Sequence, residues 1–113
     1  VNFSSGLTRV SYPGFSAYAA AKAAVEMLSV YMARELGGRG ITVNTIAPGA
    51  IATDFGGGLV RDDASVNAQF AAMTALGRVG LPDDIGDAIA ALLSDKLGWM
   101  NAQRIEVSGG MFL

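Results

Sequence analysis

The chain alternates between short apolar runs of strand length and longer runs whose apolar residues recur at helical spacing. Val1 and Phe3 alternate with polar neighbours and then meet Ser4-Ser5-Gly6, which predicts the end of a short strand. Residues 6–15, with Pro13 and Gly14, predict a loop. Ser16 reads as an N-cap, and nothing interrupts a helix from there to Leu36. Strong helix formers dominate that stretch, and Val25, Leu28, Met32 and Leu36 recur at helical spacing. Gly37-Gly38-Arg39-Gly40 ends it, glycine supplying a left-handed cap. "ITVNTIA", 41–47, is β-branched and largely apolar, as a buried parallel strand is, and Pro48-Gly49 stops it. Signals weaken over 50–80: "FGGG" at 55–58 reads as mobile and "DASVNAQFAAMTAL", 63–76, as helical. Pro82 opens a second clear helix to about Ser94, with Asp83 and Asp84 in the first turn, where the dipole favours anions. "QRIEVSG", 103–109, predicts a last strand closed by Gly109-Gly110.

That order predicts an α/β protein, a parallel sheet of three strands with two main helices as crossovers, in one domain over 1–113. Composition then narrows the chemistry. Net charge is -2 over 113 residues, which leaves no electrostatic footprint for nucleic acid. Hydrophobic residues make up 51% and charged residues 16%, which fits an interior-rich piece or one with a large contact surface. The absence of cysteine excludes disulfides and thiolate chemistry. The absence of histidine removes Ser-His-Asp and Cys-His catalysis and zinc sites of the usual composition, so no metal is expected. No apolar run reaches the ~18 residues of a membrane span, because Lys22 and Glu26 interrupt the most apolar stretch. The expectation is a cytoplasmic protein with no membrane segment.

"SAYAAAK", 16–22, then draws notice. Residues four apart share a helix face, so Tyr18 and Lys22 project together near the helix start. A phenol titrates near ~10 when unperturbed. A neighbouring ammonium and the positive end of the helix dipole both favour the phenolate. In a chain without histidine, Tyr18 is the best general acid/base candidate. The spacing alone is common and is usually a solvated lysine packing its stem on a ring. Three further features stand beside it. Ser5 lies thirteen residues before Tyr18 at a strand end, Pro48-Gly49 follows the next strand with Thr53 four residues on, and "GRVGLPDDI" opens the second helix.

Together, "NFSSG", "YAAAKAAV", "ITVNTIAPGAIATD", "GRVGLPDDI" and "IEVSGG" resemble, in order and over essentially all of the chain, the C-terminal portion of the classical short-chain dehydrogenase/reductase family. The resemblance implies part of a doubly wound, Rossmann-like sheet and an NAD- or NADP-dependent oxidoreductase interconverting an alcohol and a ketone or aldehyde. By the same resemblance Tyr18 is the acid/base and Lys22 lowers the tyrosine pKa and bonds the nicotinamide ribose. Ser5, rather than Ser4, polarises the carbonyl. Pro48, Gly49, Ile51 and Thr53 belong to the motif beside the nicotinamide, with the Ile51 backbone on its carboxamide. Phe55, Leu59, Val60, Phe70 and Met73 suggest an apolar substrate lid. The partner implied is a small-molecule carbonyl or alcohol, and a homo-oligomer, dimer or tetramer, is implied through the tyrosine helix and C-terminal segment.

Blander roles stand next to these: Ser5 as a loop serine capping a turn, Thr53 as a cap, Gly109-Gly110 as a turn, Met27 and Met32 as packing. Gly56 to Gly58 are not a phosphate cradle, since such a fingerprint directly follows a strand and opens a helix. The family's nucleotide-binding half and upstream asparagine have no counterpart, and Asn2 is no substitute. The expectation is therefore a single, incomplete domain, inactive alone, with an unpaired edge at its first strand. Two alternatives remain: a non-catalytic α/β fragment that only oligomerises, and a nicotinamide-dependent epimerase or dehydratase on the same fold.

Overall fold

Alternate residues of the strands carry opposite chemistry, and that alternation organises the molecule. In the computed structural model, which describes residues 1–113, strands β1 (Asn2–Phe3), β2 (Thr45–Pro48) and β3 (Arg104–Val107) form one parallel sheet in the order β1-β2-β3. The register aligns Asn2, Thr45 and Arg104 in one row and Phe3, Ile46 and Ile105 in the next. Successive side chains leave opposite faces of a strand. Asn2, Thr45, Arg104 and Glu106 therefore share one face, and Phe3, Ile46, Ile105 and Val107 the other.

Helix α4 (Pro82–Leu92) covers the apolar face. Ile46, Ile85 and Leu92 form the buried core there, with Ile51, Ile89, Ile105 and Val107 packed against it. Ile46 is 1% exposed, and burying such a side chain contributes about 1.5–3 kcal/mol. Helix α1 (Ser16–Leu36) lies over the polar face. Asn2 Nδ2 donates to Ser29 Oγ at 2.9 Å, and Ser29 and Ala33 are the buried residues of the helix. β1 has a neighbour on one side only, so its other edge is open, as expected. No helix is long and apolar enough to cross a membrane.

Between β2 and α4 the chain makes a 3-10 turn at Phe55–Gly58, then helices α2 (Leu59–Asp62) and α3 (Ala64–Ala72). Gly56, Gly57 and Gly58 have φ of 63°, 76° and 79°, a run of left-handed residues that side chains disfavour. Asp63 caps α3, its Oδ1 accepting from Ser65 N at 2.8 Å and Val66 N at 3.0 Å.

Several boundaries differ from expectation, each for a local reason. Ser16 is the first residue of α1 and not its cap, since Phe15 precedes it without a side-chain bond. The left-handed residue after α1 is Gly40, φ 72°, because Gly37–Arg39 continue as a 3-10 turn. The second strand starts at Thr45 and not Ile41. Val43 N donates to Asn101 Oδ1 at 2.8 Å, and the Asn44 amide bonds Met100 O at 2.9 Å and Gln103 N at 3.0 Å. Side-chain amides thus take up Val43 N and Gln103 N, while Asn44 O and Val43 O still accept from Asn2 N and Ala102 N, both at 2.9 Å. α3 stops at Ala72 because Ala75 N and Leu76 N bond Gly110 O and Gly109 O. α4 ends at Leu92 and β3 at Val107, each two residues short of expectation. Leu28 is 57% exposed, so it does not belong to the row that packs on the sheet.

Candidate functional site

The sheet ends, the start of α1 and the α2–α3 segment enclose a cavity of about 660 Å³, within the range of small-molecule sites. Ser5, Tyr18, Lys22, Pro48, Gly49, Ile51 and Thr53 all line it. So do Phe55, Leu59, Val60 and Phe70 of the expected lid. Met73 does not: it ends α3, where its N–H bonds Gln69 O and Phe70 O and its carbonyl accepts from Phe112 N at 2.9 Å.

Each side chain is placed by an identifiable local cause. One helical turn separates Tyr18 from Lys22, whose Nζ sits 5.7 Å from the Tyr18 ring centroid, within cation–π range. Lys22 Nζ also donates to Phe3 O at 3.0 Å, which ties α1 to the end of β1. The two serines after β1 are distinguished by their partners. Ser4 is buried and its hydroxyl donates to Glu26 Oε1. Ser5 Oγ instead accepts from Leu7 N at 3.2 Å, capping the 3-10 turn Gly6–Thr8, so its proton is available to a ligand. The turn-capping role and a role toward a ligand are compatible in one hydroxyl.

After β2, Gly49 passes against the end of β3. A Cβ there would lie 2.8 Å from Ser108 Cβ and 2.9 Å from its Cα, too close for any side chain. The chain is then pinned, with Ile51 bridged to Gly80, Ala52 N on Gly80 O at 2.9 Å and Gly80 N on Ala50 O at 2.9 Å. Thr53 Oγ1 accepts from Phe55 N at 3.3 Å, which again leaves the hydroxyl proton for a ligand.

A polar network that reaches the cavity wall at Ser4, Arg9 and Glu106 lies outside the sequence-based reading. Glu26 is one turn beyond Lys22 on the same face of α1. Its Oε1 accepts from Ser4 Oγ, from Thr8 Oγ1 at 2.7 Å and from Arg104 Nε at 2.8 Å. Arg104 on β3 also donates to Ser5 O at 3.2 Å and to Glu106 Oε2 at 3.1 Å. Arg9 completes it, Nε and Nη2 each 2.8 Å from the Glu106 carboxylate and Nη2 2.7 Å from Met111 O. Burial pushes the Glu26 carboxyl up, but the bonds from Ser4, Thr8 and Arg104 outweigh it and hold it below the ordinary value. The Arg9 hydrogen bonds lead in lowering Glu106 to about 2. The network registers the Ser5 loop against the helix carrying Tyr18 and Lys22. The i, i+4 spacing of Lys22 and Glu26 is its one sequence signal.

The donor set suits the polar end of a nicotinamide nucleoside. The Lys22 ammonium and the Ser5 and Thr53 hydroxyls border one cavity whose backbone at 48–51 lies close against β3. No glycine-rich turn leads from a strand into a helix to hold a pyrophosphate.

A family model described as Enoyl-(Acyl carrier protein) reductase matches residues 1–112. A short-chain type dehydrogenase/reductase of Picea abies is 41% identical over 112 residues, 97% of this chain and 40% of the relative. Among solved structures, the angucycline C-6 ketoreductase LanV with bound NADP aligns with a TM-score of 0.88 at 35% identity, over 98% of this chain and 42% of that one. A 3-oxoacyl-[acyl-carrier protein] reductase with bound NAD from Brucella melitensis aligns with a TM-score of 0.84 at 32% identity, over 99% and 40%. The chain spans about two fifths of the length of these relatives.

Proposed function

The chain belongs to the short-chain dehydrogenase/reductase family, and on that premise we propose that it supplies the proton-handling half of an NAD(P)-dependent oxidoreductase acting on an alcohol and a ketone or aldehyde. A reduced nicotinamide bound beside residues 48–53 would supply the hydride for the carbonyl carbon. Tyr18 gives its hydroxyl proton to the carbonyl oxygen, so that C–H and O–H bonds form as the C=O π bond breaks, and the reverse sequence oxidises the alcohol. Lys22 keeps a positive charge one turn from the phenol and holds the ribose hydroxyls. Ser5 donates its free proton to the same carbonyl oxygen and orients it. Pro48, Gly49, Ile51 and Thr53 border the nicotinamide, and Phe55, Leu59, Val60 and Phe70 cover the substrate. The adenine and pyrophosphate are held, in this proposal, by polypeptide other than residues 1–113. Met27, Leu28 and Tyr31, 57–62% exposed on α1, form the face of a homo-oligomer.

The observation that carries the reading is the convergence of Ser5, Tyr18 and Lys22 with the 48–53 segment on one cavity. It is tested by NAD(P)H-dependent carbonyl reduction with the intact gene product and its Tyr18→Phe variant. A loss of about 10²–10⁴-fold in kcat is expected, with the cofactor dissociation constant within about twofold of the parent. A variant that keeps its turnover refutes the assignment.

A further inference from the structure

Tyr18 is not an isolated ring. Tyr12 meets Phe15 at a centroid distance of 5.9 Å and 64°, Phe15 meets Tyr18 at 6.3 Å and 81°, and Tyr18 meets Phe55 at 5.7 Å and 50°. Four rings from the loop before α1, from α1 and from the 3-10 turn after β2 thus form a continuous tilted and edge-to-face series along one wall of the cavity. The candidate proton donor is its third member. Phe15 is 38% and Phe55 63% exposed, so ring surface is still open to a ligand.

The charged residues on the cavity wall are Arg9, Lys22 and Glu106. Arg9 Nε and Nη2 donate to Glu106 and Nη2 also to Met111 O, while Nη1 lies 3.4 Å from Phe112 O. Lys22 Nζ is held on Phe3 O. One of the three Lys22 ammonium protons is used there and the others are assigned above to the ribose, while Arg9 is paired with Glu106, so a carboxylate on the substrate gains no cation of its own, and desolvating it without a partner is costly.

Resting on the carbonyl-reductase reading above, we propose that this cavity selects planar aromatic, uncharged ketones over flexible aliphatic ones and over anionic acyl carbonyls. A flat ring system offers edges and faces to the series at the offset and perpendicular geometries that aromatic pairs favour. It has few rotors to immobilise, whereas an alkyl chain of equal carbon number loses many. A ketone fused to such a ring system, lying on Phe15 and Phe55, brings its oxygen beside the intervening Tyr18.

The test uses 1-tetralone, 2-decanone and 3-oxodecanoate, each with ten carbons, in equilibrium dialysis against the intact gene product without cofactor. The aliphatic ketone partitions from water more strongly than the aromatic one, so nonspecific apolar binding would rank it first. At least fivefold tighter binding of 1-tetralone than of either competitor is expected. Phe15→Leu and Phe55→Leu should each weaken 1-tetralone at least threefold and leave 2-decanone within twofold, and if one variant melts out, the other decides. Equal or inverted affinities, or a ratio that neither variant changes, overturn the proposal. A retained 1-tetralone preference without any NAD(P)H-dependent reduction of it overturns the oxidoreductase reading and leaves the ligand class standing.

Discussion

Tyr18 and Lys22 lie one turn apart, yet their replacement separates two functions. Lys22→Ala removes a charged donor from the ribose side of the proposed site, where such a bond is worth ~1.5–3 kcal/mol. The dissociation constant for NAD(P)H should rise about tenfold or more by fluorescence titration, together with a lower kcat. An unchanged constant excludes the ribose contact. Behind this pair, Glu106 titrates at about 2 against an ordinary 4.5, with the Arg9 hydrogen bonds as the leading cause, and Glu26 is lowered as well. A carboxyl whose folded pKa is depressed contributes stability above its unfolded pKa and loses it as pH falls through the folded value. The midpoint of urea unfolding should therefore fall between pH values of about 4.5 and 2. Arg9→Met should flatten that fall, and an unchanged slope separates the carboxylates from acid sensitivity. The shared face of Tyr18, Lys22 and Glu26 is legible from spacing alone. Arg104 is not, because it reaches Glu26 across 78 residues and the Ser5 carbonyl across 99.

At the scale of elements, α1 ends at Leu36 as its composition predicts and begins at Ser16, one residue earlier than the reading of Ser16 as a cap implies. Twenty-one residues of good helix formers between a Pro-Gly loop and a glycine cluster leave little choice. α3 is the element on which the proposed lid depends. Asp63 caps it through two backbone N–H groups; α3 carries Phe70, and its Asn67 Nδ2 donates to Val60 O of α2 at 2.9 Å. Asp63→Ala should cost about 1 kcal/mol in urea unfolding and raise KM for the carbonyl substrate more than it lowers kcat. A loss of stability without a change in KM leaves the cap as scaffold only. The second strand was less legible. "ITVNTIA" has the composition of a buried strand along its length, but Asn44 and Asn101 bond backbone groups that a neighbouring strand would otherwise use. Amide side chains are poor indicators of such pairings, since any of several backbone groups satisfies them.

The 113-residue chain is open for its mass. Its surface of 7063 Å² exceeds the roughly 5,800 Å² expected of a compact monomer of this size. The radius of gyration, 15.0 Å, likewise exceeds about 13 Å. Only 14 of 113 residues are buried, so each element relies on few partners. With β1 open at its edge and Met27, Leu28 and Tyr31 bare on α1, the 113-residue species should associate in solution. Light scattering should give a mass that is a multiple of 11.6 kDa, and Leu28→Glu should lower it. A cooperatively folded monomer of 11.6 kDa contradicts this reading.

The sequence by itself determined the alternation of strands and helices, the common face of Tyr18 and Lys22, and the motif order that carries the family. These depend on periodicity and on spacings within one or two helical turns, which the backbone imposes locally. Only the tertiary structure decided that Ser4 is tied down and Ser5 open, that Met73 does not line the cavity, and that two aromatic rings, Phe15 and Phe55, adjoin Tyr18. Those outcomes depend on which residues a parallel sheet brings side by side from distant parts of the chain. Hydrogen-bond geometry and close packing select among such neighbours, and neither is written in the order of the residues.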